Sequence, residues 1–129
     1  MAKAGGEEVS KDDEWEWYVT AAGGKVVQRE LSKAFGTDTA SLARLERIMN
    51  LRAGRQSAAR HSKHLRGDIH EIRVNGAGVT YRLLFARHQE GRVLLALRAL
   101  KKTTPKLPPA DIEVAEARWA DWRRRKRLN

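Results

Sequence analysis

DIHEIRV (68–74), NGAG (75–78), VTYRLLFAR (79–87), HQEG (88–91) and RVLLALRAL (92–100) form one continuous stretch, and its reading decides the fold. Three runs rich in Ile, Val, Leu, Tyr and Phe are separated by two short connections. Asn and Gly in those connections tolerate the positive φ that tight turns need, so the runs predict a three-stranded antiparallel meander. Side chains alternate along a strand. Ile72 and Val74 therefore share a face with His70, while Glu71 and Arg73 share the opposite one. On the next strand Tyr81, Leu83 and Phe85 lie together, and Arg82 lies with Thr80 and Leu84. With Ile72 and Leu83 both turned to the core, Arg73 and Arg82 become neighbours on one open, cationic sheet face.

On the N-terminal side, EWEWYV (14–19) alternates, with Trp15, Trp17 and Val19 on one face and Glu16 and Tyr18 on the other, which predicts a short half-buried strand. Val27, Leu31 and Ala34 recur at helical spacing, and Phe35-Gly36 would close that helix. Thr37 or Asp38 can cap a second helix carrying Leu42, Leu45, Ile48, Met49 and Arg52 on one stripe, so the two helices form a hairpin. The polar run GRQSAARHSK (54–63) has no clear period and reads as a loop. Beyond the meander, KKTTPKLPP (101–109) is a basic, proline-punctuated connection. Pro109, Asp111 and Glu113 suit the positive end of a helix in which Ile112, Ala115, Trp119 and Trp122 form the apolar stripe. Arg123 to Arg127 then leaves the domain. The fold class is α+β: an N-terminal strand, a two-helix hairpin, an antiparallel sheet of about four strands and a C-terminal helix. A single domain over 14–123 lies between a flexible acidic lead-in (1–13) and a basic tail (124–129).

At 129 residues with a net charge of +10, the chain fits one core under a cationic surface and points to a polyanionic partner. The charge is uneven: residues 1–16 carry two basic and six acidic side chains, so the remainder holds the positive excess. No cysteine is present, which excludes disulfides, thiolate nucleophiles and cysteine-ligated zinc. No apolar run approaches bilayer length, the longest being Val93 to Leu97, so the expectation is a cytoplasmic protein without a membrane partner.

Arginine forks match phosphate oxygens in bidentate fashion and can stabilise a phosphorane-like transition state, and Lys101-Lys102 at the end of the last strand extends the same charge. Arg87, Arg98 and the run Arg123, Arg124 and Arg125 are candidates for contacting RNA or the ribosome. His61-x-x-His64 lacks the Glu of a zincin arrangement and sits in a loop, so no metal site is expected, although a loop histidine could act as a base. The four tryptophans have core spacings rather than those of a base-stacking platform.

LRGDIHEIRV (65–74), VTYRLLFA (79–86) and LKKTTPKLPPADIEVAEARW (100–119), in that order after a strand and a helical hairpin, resemble the phage-derived Gp49-like, HigB-type toxins of the RelE/ParE superfamily. The resemblance spans roughly residues 15–122. It implies the toxin of a type II toxin–antitoxin pair, a ribosome-dependent messenger-RNA endoribonuclease that uses 2′-OH attack on the scissile phosphate and needs no cofactor. Its implied partners are mRNA on the ribosome and a HigA-like helix-turn-helix antitoxin. The matching motifs carry the catalytic assignment to Glu71, Arg73, Tyr81, Arg82, Lys101 and Lys102, with Tyr81 or a loop histidine as the base. His70 and Ala99 stand where the family usually has aromatics. The superfamily leaves two alternatives open, a gyrase-directed ParE-like toxin and a non-catalytic basic module that binds nucleic acid or the ribosome.

Overall fold

The computed structural model describes residues 12–54, 62–90 and 92–127. Along the chain run β1 (Glu14–Trp17), α1 (Val26–Phe35), α2 (Thr39–Ala53), β2 (Ser62–Arg66), β3 (Ile69–Asn75), β4 (Thr80–His88), β5 (Val93–Lys102) and α3 (Pro109–Arg127). The fold is α+β, and the strands form one sheet in the order β1-β5-β4-β3-β2.

The meander forms as its pattern predicts. β3, β4 and β5 pair antiparallel, with Ile72 opposite Leu83, Arg73 opposite Arg82 and Arg82 opposite Leu100. Ile72, Leu83, Leu84, Phe85, Leu94 and Leu95 lose essentially all solvent contact, each contributing about 1.5–3 kcal/mol of burial. Gly76 lets the β3–β4 turn lie close to Tyr81, because a Cβ there would stand 2.9 Å from the ring, and Gly78 takes φ +70°.

Two expectations about the sheet are corrected. β1 pairs parallel with β5, from Glu14 opposite Val93 to Trp17 opposite Ala96, so the sheet is mixed and has five strands. A parallel neighbour requires a crossover, which the whole segment from α1 to β4 supplies. Ser62–Arg66, partly assigned to a loop, is the edge strand β2, antiparallel to β3. Its sequence SKHLR shows no apolar alternation because an edge strand covered by little else carries charged side chains. Residues 55–61 of that loop, His61 among them, lie outside the described residues.

The helices cover both faces of the sheet. Trp15, Tyr81 and Phe85 share one face, where the Trp15 indole donates to the Met49 carbonyl at 2.8 Å, Tyr81 stacks on Phe35 at 4.1 Å and Arg52 lies over Phe85. That face belongs to the α1–α2 hairpin, whose second helix is capped by Asp38 accepting from the Ser41 N–H. Glu16, Leu84 and Arg98 point to the other face, where α3 lies: the Trp122 indole donates to Glu16 at 2.9 Å, and Arg98 donates to Asp111 at 2.9 and 3.1 Å. Ala115, Trp119 and Trp122 are buried, as their stripe predicts. β1 ends at Trp17 and leaves the rest of the β5 edge unpaired. Glu30 accepts the Ala99 N–H and Arg118 donates to the Leu97 carbonyl, which closes that edge.

Both ends of the domain are held more closely than expected. Tyr18 emerges on the Glu16 side, as grouped, and α3 covers that side: the ring is buried and its hydroxyl donates to Asp121 at 2.7 Å. Asp13, at the boundary drawn for the lead-in, is 3% exposed and accepts a two-pronged contact from Arg87 at 2.8 and 3.1 Å. Arg123 to Arg127 does not leave the domain. α3 continues through Arg127, and Arg125 donates to the Val19 carbonyl at 2.7 Å and sits over the Tyr18 ring.

Candidate functional site

Strand register assembles the candidate cluster and also divides it. Glu71, Arg73, Arg82 and Lys102 belong to the α3 side of the sheet, since Arg73 faces Arg82 and Thr80 faces Lys102. Tyr81 and Lys101 are opposite one another on the helical-hairpin side. Six residues that the sequence motifs group together therefore occupy two faces.

The expected open cationic face is not open. Arg82 is 3% exposed and Glu71 is 1% exposed, because α3 and the connection between β5 and α3 cover them. Glu71 accepts from Arg82 Nη1 at 2.8 and 3.1 Å and from Arg73 Nη2 at 3.0 Å. Arg82 Nη2 donates to the Pro105 carbonyl, and Arg82 Nε has no partner among the described residues. Arg73 retains 41% side-chain exposure, and Lys102, 4.0 Å from Asp111, retains 37%. A buried carboxylate thus holds one guanidinium inside the fold and a second at its surface, which is an arrangement suited to presenting Arg73 to an anion.

Tyr81 has a different environment. Its hydroxyl donates to Asp38 at 2.7 Å, and that bond, with burial and the Asp38 charge, raises the phenol above its ordinary value. The same bond, with those from Ser41, lowers Asp38. A phenol held protonated on the hairpin side is a poor proton acceptor for chemistry at Arg73.

Of the cations assigned to RNA, Arg87 and Arg98 are engaged internally, by Asp13 and by Asp111 with Glu30. Arg123 and Arg124 remain 49% and 61% exposed, although Asp68 lies 3.9 Å from the first and Asp121 pairs with the second. Arg125 turns back onto the fold. Arg123 lies over Trp119, and with Lys126 and Arg127 these side chains line a cavity of about 660 Å³ between α3 and the β4–β5 turn.

His64 and His70 are opposite each other on β2 and β3, with ring centroids 5.1 Å apart, beside a cavity of about 560 Å³ that Arg52 and Arg87 also line. Burial first, then His64 and Arg52, lower His70 below its ordinary value, while Asp68 opposes the shift. Among the described residues no three His, Asp or Glu side chains converge as metal ligands.

The sequence motifs did not reveal the roles of Asp38, Pro105 and Asp13. Asp38 announced itself only as a helix cap, and a backbone carbonyl such as that of Pro105 leaves no side-chain signal.

The family model for the phage derived protein Gp49-like (DUF891) matches residues 36–120, which includes the Glu71–Arg73–Arg82 cluster and the connection into α3. No curated protein matches the chain significantly. Among the described residues no helix is long and apolar enough to cross a membrane.

Proposed function

Because the chain belongs to the Gp49-like phage-derived family, a family of RelE/HigB-like toxins, we propose that it is the toxin of a toxin–antitoxin pair and cleaves messenger RNA on the ribosome. The observation that carries this reading is the exposed Arg73 guanidinium, anchored at 3.0 Å by a buried carboxylate that also holds Arg82. In the reaction, the ribose 2′-hydroxyl gives its proton to water as its oxygen bonds to the adjacent phosphorus, the P–O5′ bond breaks, and O5′ takes a proton from water. The products are a 2′,3′-cyclic phosphate and a 5′-hydroxyl. Arg73 and Lys102 stabilise the charge that develops on the phosphoryl oxygens, and Lys101 contributes positive potential from the neighbouring strand position. Glu71 is a positioning residue, and Tyr81 acts through Asp38 as a support for the β3–β4 turn.

Arg123 and Arg124 provide salt-sensitive attachment to RNA phosphates. The antitoxin is a helix-turn-helix protein that offers acidic side chains to this surface. The test is induction of the chain without a partner, followed by growth and transcript 5′-end mapping. Growth arrest with new 5′ ends is expected, and Arg73→Ala should reduce cleavage by about 10²–10³-fold. Harmless expression with intact transcripts overturns the reading. Intact transcripts accompanied by DNA-damage signalling would redirect it to gyrase.

A further inference from the structure

Arg82 differs from four other anchored arginines of this chain in how its guanidinium edge is used. In Arg66, Arg87, Arg98 and Arg125, Nε and Nη2 together grip one carboxylate, at 3.1 and 2.7 Å on Glu116, 2.8 and 3.1 Å on Asp13, 3.1 and 2.9 Å on Asp111, and 3.1 and 2.6 Å on Asp121. In Arg82 the Glu71 carboxylate takes only Nη1. The Nε–Nη2 edge faces a single backbone carbonyl, that of Pro105, and Nε has no partner among the described residues although it is fully buried. A buried N–H without an acceptor is costly, so this edge gains more than an ordinary surface fork when a two-oxygen anion reaches it.

The covering element is the connection 103–108 between β5 and α3. It has no regular secondary structure, and Thr103, Thr104, Pro105 and Lys106 are exposed. Segments of this kind open locally at small cost. That Arg82 meets phosphate is already implied by the family resemblance; we propose that the 103–108 connection is a lid on this seat, with the Pro105 carbonyl occupying the Nε–Nη2 edge until a phosphodiester displaces it. The seat lies on the same sheet face as Arg73, directly across from it in register. One phosphate could therefore be held by both guanidiniums once the lid lifts. The inference rests on the RNA-cleavage reading for its choice of a phosphodiester, and the lid is a gate that reading does not contain.

The test uses the whole chain and two probes, inorganic phosphate and an uncleavable 2′-deoxy trinucleotide. The Arg82 Nε–Hε NMR resonance is followed during titration, and tryptic cleavage after Lys106 is followed by mass spectrometry with and without phosphate. Both probes should shift the Arg82 Hε signal, and phosphate should accelerate cleavage at Lys106 because the lid is open. Arg82→Lys, which keeps the charge against Glu71 but has no fork, should weaken phosphate binding about tenfold. An Arg82 signal that does not respond to either probe overturns the seat. Equal shifts with acetate overturn its assignment to phosphate, and unchanged or slower cleavage at Lys106 overturns the lid. A responsive Arg82 in a chain that leaves transcripts intact on induction would keep the seat and sink the ribonuclease reading.

Discussion

Replacing Glu71 by alanine isolates the contact on which the candidate site depends. The Glu71 side chain is 1% exposed and accepts three hydrogen bonds from Arg82 and Arg73. Its loss leaves the Arg82 guanidinium, 2% exposed, without a counter-ion inside the fold. Removing one member of such a buried pair costs about 3–5 kcal/mol. Arg73, 41% exposed, loses a partner in water and adds about 0–1 kcal/mol. Against a total stability of about 5–15 kcal/mol, the Arg82 term dominates and the variant is close to the limit of folding. Urea unfolding is the assay: with a slope of about 2 kcal/mol per molar, the midpoint should fall by about 2 M at unchanged slope. The double replacement Glu71→Leu with Arg82→Met removes both charges and should recover at least half of the loss. A midpoint drop smaller than about 0.5 M for Glu71→Ala, or a double variant as unstable as the summed single variants, would refute the account of a buried, mutually dependent pair.

Glu30 offers an acid-range test. Burial alone would raise its carboxyl, but the Arg118 hydrogen bond, the Ala99 N–H and the Arg118 and Arg98 charges outweigh burial and hold it below its ordinary 4.5. Its stabilising contribution is complete above the unfolded value and is lost as pH falls through the lowered folded value, so Glu30→Gln should flatten the loss of urea resistance below about pH 4.5. His70 has the same sign for a different reason: its lowered folded value means that protonation below its ordinary 6.5 favours the unfolded chain. An NMR titration should place the His70 midpoint below 6.5, and His70→Phe should remove stability loss in that window; a midpoint above 6.5 contradicts the burial argument. Tyr81→Phe removes the bond to Asp38 and should cost about 0.5–1.5 kcal/mol in urea unfolding, while transcript cleavage stays near wild type. A hundredfold loss of cleavage would return the phenol to the chemistry.

The meander and the helical hairpin are legible in sequence because period-2 and period-3.6 patterns are local consequences of burial on one side of an element. Arg73 opposite Arg82 follows from that alternation once the turn lengths set the register. Strand β2 escapes because SKHLR makes backbone hydrogen bonds at an edge without an apolar face. The parallel pairing of β1 with β5 also has no local signal, since it joins segments separated by nearly the whole domain.

The chain's own residues determined that a basic α+β domain of this family would present arginines on one sheet face, because strand alternation fixes the side from which each side chain emerges. Tertiary structure decided which of those arginines water can reach. α3 and the 103–108 connection fold over the same face, so Arg82 becomes a buried partner of Glu71 while Arg73 stays at the surface. Asp13, Glu30 and Asp111, distant in sequence, take up Arg87, Arg98 and Arg118. A net charge can be read from composition. Its availability to a polyanion depends on which charges the fold has already brought into contact.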